Sequence, residues 1–115
     1  MEEKQGYIVE ITPEGEFHYL QLLEYLYKYH SEESADRKSN EVLDMAMSLD
    51  KEPRRGRKED KLDILGKDHR FLLYYYTSRK SIKIIYFVEE TNKTVYITDF
   101  FPTEMNDKKI RRRNV

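Results

Sequence analysis

The most regular pattern in the chain is a series of three runs of β-branched and aromatic residues between positions 69 and 101. The runs cover residues 69–77, 82–88 and 95–101, and charged or turn-forming residues separate them. Short runs of this composition, joined by short polar breaks, predict three antiparallel strands that follow one another along the chain. We expect this three-strand meander to be the centre of the fold, with the remaining chain covering or edging it.

The first fifty residues predict one strand and two helices. Apolar residues alternate along 7–11, and Thr12 and Pro13 suit the N-cap and first position of a helix. Apolar residues then recur at helical spacing to about position 30, and Ser31 can cap a second helix after a short link. We therefore predict an α+β fold of strand, helix, helix and three-strand antiparallel meander, with the helical hairpin packed on one face of a small sheet. The first strand could pair parallel with a meander strand.

The length of the chain fits one domain. Its 115 residues leave little room for a second core. We predict a folded domain over residues 1–102 and a basic C-terminal tail over 103–115, which either forms one short helix capped by Thr103 or is disordered.

Composition excludes several classes of protein. There is no cysteine, which excludes disulfides and thiolate chemistry. No apolar run approaches the ~20 residues that cross a bilayer, and the N-terminus has no apolar signal core, so we expect a cytoplasmic protein without a membrane segment. The 21 Lys and Arg residues nearly balance the 22 Asp and Glu residues, so net charge alone does not select nucleic acid as a partner.

Side-chain alternation suggests what each face of the meander carries. In the second meander strand, the row without Lys83 is apolar and is predicted to pack under the helices, which leaves Lys83 on the open face. In the first meander strand we assign Phe71, Leu73 and Tyr75 to the helix side, which places Arg70 on the open face. The pattern thus predicts two cations close together among aromatic side chains.

Cations on a rigid sheet beside aromatic rings suit a phosphate backbone and unstacked bases. Two basic segments, one near residue 56 and one near the C-terminus, are expected to edge this face. The candidate RNA-binding residues are Arg54, Arg55, Arg57, Lys58, Lys61, Arg111, Arg112 and Arg113. The alternative is that Arg70 and Lys83 are ordinary solvated strand residues.

The sequence gives little support for a metal site or a phosphate-binding loop. The three histidines lack metal-ligand spacing, and the four glycines do not form a phosphate-binding loop. We therefore expect neither a metal ion nor a cofactor.

The order of elements and several local signals resemble the RelE/ParE superfamily, the toxins of type II toxin–antitoxin modules that are often labelled plasmid stabilisation proteins. The signals cover most of the chain, and they comprise Tyr7-Ile-Val-Glu-Ile-Thr-Pro13, Ser34-Ala35, Leu49, Pro53, Arg55, Gly56, His69-Arg70, Lys83-Ile-Ile-Tyr-Phe-Val88 and Val95-Tyr-Ile-Thr-Asp99.

This resemblance implies that residues 1–102 are the toxin domain and that a cognate antitoxin protein binds it. RelE-like members are RNA-binding, metal-independent endoribonucleases that cut mRNA in the ribosome, which would make Arg70 and Lys83 catalytic. The mechanism would be attack of a 2′-hydroxyl on the adjacent phosphate, with Asp99 or a lysine of the tail as candidate acid or base. ParE-like members share the fold and poison DNA gyrase. A catalytically inactive relative that acts as a binding module, and a homodimer, are further alternatives.

Overall fold

A computed structural model describes residues 6–114 of the chain and contains five strands and three α-helices. The elements are, in chain order, β1 (Ile8–Ile11), α1 (Pro13–Tyr29), α2 (Glu32–Met47), β2 (Arg57–Lys58), β3 (Arg70–Tyr75), β4 (Ser81–Glu89), β5 (Thr94–Pro102) and α3 (Lys109–Arg113). Two 3₁₀ helices occupy Ser48–Asp50 and Asp60–Leu65. The predicted α+β class and the order of strand, two helices and meander are confirmed.

The strands form one mixed sheet with the order β1-β5-β4-β3-β2. Strands β3, β4 and β5 are the antiparallel meander, and β1 pairs parallel with β5 at one edge. The long connection between this parallel pair contains the helical hairpin and strands β2 to β4. The short strand β2, which the sequence pattern does not predict, pairs antiparallel with β3 and forms the other edge.

Local capping sets where the two long helices begin. The Thr12 side-chain oxygen accepts a hydrogen bond from the Gly15 N–H at 3.0 Å, and Pro13 occupies the first helical position. The Ser31 side chain accepts from the Ser34 N–H at 3.1 Å in the same way. Both predicted helix starts are confirmed.

The helical hairpin packs on one face of the sheet. The fully buried residues of this core include Leu26, Val42, Ala46, Ile84, Tyr86, Ile97 and Phe100. In β3, however, Leu72, Tyr74 and Tyr76 face the helices, so the predicted assignment of Phe71, Leu73 and Tyr75 to that side is wrong. Register is the reason: β3 pairs Leu72 with Ile84 and Leu73 with Lys83, and directly paired residues share a face.

The second face of the sheet is covered in part, which corrects the prediction of an open face. The 3₁₀ helix Asp60–Leu65 and α3 pack against it and build a smaller core. Its fully or almost fully buried members are Leu62, Ile85, Phe101 and Ile110. Residues 103–114, described above as a basic tail, thus contribute α3 to this core. Thr103 does not cap α3 but donates a hydrogen bond to the Ser81 carbonyl oxygen at 3.1 Å.

Within residues 6–114 there is no helix with both the length and the apolar character needed to cross a membrane.

Candidate functional site

The candidate site is centred on Lys83, which projects from β4 on the second face of the sheet. Its ammonium nitrogen lies 2.7 Å from Oε1 of Glu59 and 4.2 Å from the centroid of the Phe71 ring. The Lys83 side chain is 19% exposed and that of Glu59 only 4%. The pair therefore lies at the boundary between the second core and solvent.

Glu59 is held in place at the start of the 3₁₀ helix Asp60–Leu65. Its Oε2 accepts a hydrogen bond from the Lys61 N–H at 3.2 Å, which makes the side chain the cap of that helix. Its own N–H donates to the His69 carbonyl oxygen at 2.8 Å, which ties the cap to the start of β3. Backbone hydrogen bonds thus hold the Glu59 carboxylate against Lys83, so the ion pair is not the only contact that fixes its position.

A cleft of about 550 Å³ surrounds this pair, and four of its eight lining residues are cations. The lining residues are Lys58, Glu59, Asp60, Lys61, Phe71, Lys83, Asp107 and Arg111. Lys58, Lys61, Lys83 and Arg111 are four of the ten site residues expected from sequence, and the fold brings them together. The guanidinium of Arg111 donates from Nε to the Lys61 carbonyl oxygen at 3.4 Å, so α3 and the 3₁₀ helix close one side of the cleft.

Arg70 does not join Lys83, which corrects the prediction of two neighbouring cations. Cross-strand pairing places Arg70 opposite Tyr86, on the side of the helices. Its guanidinium donates to the carbonyl oxygens of Arg54 at 3.2 Å and Gly56 at 3.0 Å, and contacts Asp68 at 3.3 Å. Arg70 therefore anchors the loop that carries the first basic segment and stabilises its turn at Gly56.

The Gly56 turn itself depends on a close approach of the backbone to the sheet. The buried hydroxyl of Tyr86 accepts a hydrogen bond from the Gly56 N–H at 3.0 Å. A Cβ at position 56 would lie 2.6 Å from that hydroxyl and 2.7 Å from the Phe71 carbonyl oxygen. Only glycine fits here without displacement, and the turn directs Arg57 and Lys58 into β2.

The other predicted RNA-binding residues have different surroundings. Arg54 pairs with Glu90 at 2.6 Å, and Arg55 donates to the Ser48 hydroxyl at 2.7 Å. Arg57 and Arg112 are exposed and lie outside the lining of the cleft. Arg113 is bound to the fully buried carboxylate of Asp99. Asp99, one of two acid–base candidates, is thus a buried partner of Arg113, outside the cleft.

Glu59 is the site residue that sequence reasoning missed. It stands among charged residues between Lys58 and Lys61, where periodicity predicts a solvated loop. Its burial depends on the 3₁₀ helix folding back over the sheet, and no local pattern marks that contact. Among residues 6–114, no group of three or more His, Cys, Asp or Glu side chains is placed to hold a metal ion.

Comparison of the chain with protein-family models, with curated proteins and with solved structures finds no match.

Proposed function

We propose that this chain is the toxin of a type II toxin–antitoxin module and that it cleaves RNA at the cleft around Lys83. The order of strand, helical hairpin and meander supports the resemblance to the RelE/ParE superfamily. The observation that carries the nuclease assignment is the contact between Lys83 and the buried Glu59, in a cleft rimmed by Lys58, Lys61 and Arg111. The target is mRNA on the ribosome, which places the protein in the cytoplasm, and a cognate antitoxin neutralises it.

The cleft contains the groups that metal-independent cleavage of RNA needs. A phosphate that enters beside Lys83 competes with Glu59 for the ammonium group and so releases one carboxylate oxygen. Glu59 then takes the proton from the 2′-hydroxyl, whose oxygen attacks the adjacent phosphorus. The bond from phosphorus to the 5′-oxygen breaks, water gives a proton to that oxygen, and the resulting hydroxide takes the proton from Glu59. The products are a 2′,3′-cyclic phosphate and a 5′-hydroxyl. Lys83 stabilises the negative charge that develops on the phosphate oxygens.

The rim cations have a different role from Lys83. Lys58, Lys61 and Arg111 contact the backbone on either side of the reacting phosphate, which contributes affinity without base specificity. Binding through these residues should weaken as salt rises. The Lys83 ammonium lies over the ring of Phe71, at 4.2 Å from its centroid, and this contact helps to fix its position in the cleft.

The test is an in vitro translation reaction in which cleavage of the mRNA is mapped by primer extension. We expect the wild type to cut ribosome-bound mRNA, Lys83→Ala to lose at least about 100-fold in rate, and Glu59→Gln to lose about 100-fold or more. Arg79→Ala, in the exposed turn between β3 and β4, is the matched control and should cut at the wild-type rate.

Two results would contradict the proposal. Wild-type cleavage activity in a folded Lys83→Ala variant would show that the cleft is not the active site. Cleaved complexes of DNA with gyrase, without cuts in mRNA, would instead identify a ParE-like toxin.

A further inference from the structure

A second cavity, of about 370 Å³, lies between α1 and the end of β5, and it shares no lining residue with the proposed cleavage site. It is bounded by α1, by the ends of β3 and β5, and by the chain that follows β5. Its volume falls in the range of about 300–1,000 Å³ that small-molecule sites occupy. Nothing in the proposed cleavage reaction uses it.

The walls of this cavity are apolar, and much of its surface is aromatic. Leu22 from α1 and Phe100 from β5 both line it, and both are buried. Tyr25 and Tyr76 lie edge to face, with their ring centroids 6.2 Å apart. Phe100 belongs to the main core, so part of the cavity wall is rigid.

The polar groups of the cavity include one carboxylate, that of Glu104. The Tyr76 hydroxyl donates to Glu104 Oε1 at 3.3 Å, and burial raises the pKa of Tyr76, which keeps that proton in place. His18 Nδ1 lies 3.4 Å from Gln21 Oε1. The guanidinium of Arg113 also lines the cavity, but it is bound to Asp99.

Glu104 gives the cavity a negative mouth. Its side chain is 49% exposed, and its second oxygen lies 3.4 Å from the ammonium of Lys80, which is itself 43% exposed. A mobile surface lysine holds this oxygen weakly, since exposed ion pairs contribute at most about 1 kcal/mol. A ligand cation can therefore replace Lys80 at Glu104.

We propose that this cavity binds a small aromatic amine. The ring packs between Leu22 and Phe100, and the ammonium group lies at Glu104 beside the faces of the two tyrosines, where a cation is favoured. A carboxylate of the same shape is repelled by Glu104, and a neutral hydrocarbon leaves that carboxylate with Lys80 alone.

The test compares three probes that share a phenylethyl group: phenethylamine, ethylbenzene and 3-phenylpropionate. Methyl NMR of Ile82 and Met105, which line the cavity, reports binding at this place. We expect saturable shifts with phenethylamine, at least tenfold weaker binding of ethylbenzene, and the weakest binding for 3-phenylpropionate. Glu104→Gln keeps an oxygen that accepts from Tyr76, and it should lower the affinity for the amine about tenfold.

The test includes a matched control variant. Glu24→Gln changes an exposed carboxylate on α1 outside the cavity lining and should leave binding unchanged. The proposal is overturned by absent shifts at Ile82 and Met105, by equal binding of the acid and the amine, or by unchanged affinity in folded Glu104→Gln. Because the readout is binding, it is independent of whether the protein cuts RNA.

Discussion

The guanidinium of Arg113 donates two hydrogen bonds to the carboxylate of Asp99, from Nη2 at 2.6 Å and from Nε at 3.0 Å. Asp99 is fully buried on β5, and the Arg113 side chain is 13% exposed at the end of α3. The adjacent Asn114 side chain donates to the same carboxylate at 3.0 Å. A basic segment near the C-terminus is thereby attached to the sheet through a buried charge.

Arg113→Ala should lower the free energy of unfolding by about 3 kcal/mol, because removing one partner leaves a buried carboxylate without its counter-charge. Arg112→Ala, at the neighbouring exposed position, is the matched control and should change stability by less than about 0.5 kcal/mol. Urea denaturation followed by circular dichroism measures both. Equal changes in the free energy of unfolding for Arg113→Ala and Arg112→Ala would show that the ion pair with Asp99 does not stabilise the fold.

Lys83 and Glu59 should be energetically coupled in a double-mutant cycle. Lys83→Met leaves Glu59 buried beside an apolar side chain, whereas the additional change Glu59→Gln removes that charge. We therefore expect the double variant to be more stable than the sum of the single effects by at least about 1 kcal/mol.

The exposed pair of Lys80 and Glu104 is the control cycle for that measurement, and its coupling should stay below about 1 kcal/mol. Equal coupling in the two cycles would mean that burial of Glu59 has no energetic consequence. Chemical denaturation at pH 7 supplies the four stabilities that each cycle needs.

Gly15→Ala should destabilise the protein although alanine normally favours a helix over glycine by about 1 kcal/mol. A Cβ at position 15 would lie 2.5 Å from the Ile97 carbonyl oxygen, and the backbone of β5 cannot move away cheaply. We expect a net loss of about 1–3 kcal/mol from this overpacking. Glu24→Ala, on the exposed side of α1, should stay within about 0.5 kcal/mol of the wild type. A Gly15→Ala protein as stable as the wild type would show that α1 is free to shift on the sheet.

His69 should make the stability of the protein depend on pH below neutrality. Burial, followed by the nearby charge of Lys67, lowers the pKa of His69 from its usual value of 6.5. Below about pH 6.5 the unfolded chain then binds more protons at this residue than the folded chain does, so His69 has no effect on stability well above pH 6.5 and destabilises the folded state increasingly as the pH falls from there.

His69→Phe keeps a ring beside Phe87 and removes the titrating group, so the slope of stability between pH 6.5 and 5 should be smaller than in the wild type. At pH 8 this contribution is absent from both proteins. Urea midpoints measured across the range give the two slopes, and identical slopes would exclude His69 as the source.

Much of the fold could be predicted because its signals are local. The alternation in β4 and β5, the helical spacing after Pro13, and the side-chain caps at Thr12 and Ser31 each act within a few residues. The β3 faces could not be predicted, because Arg70–Tyr76 carries apolar residues in both rows, and alternation alone does not show which row is buried.

The candidate site, like the fold, could be predicted only in part. The amino-acid sequence by itself determined the α+β architecture and supplied the basic residues, including Lys83. Only the tertiary structure decided that Arg70 lies on the other face, that Lys83 is paired with Glu59, and that Arg113 is bound to Asp99. Strand register and the folding of two short helical segments over the sheet produce those contacts between distant residues, and local propensity carries no information about either.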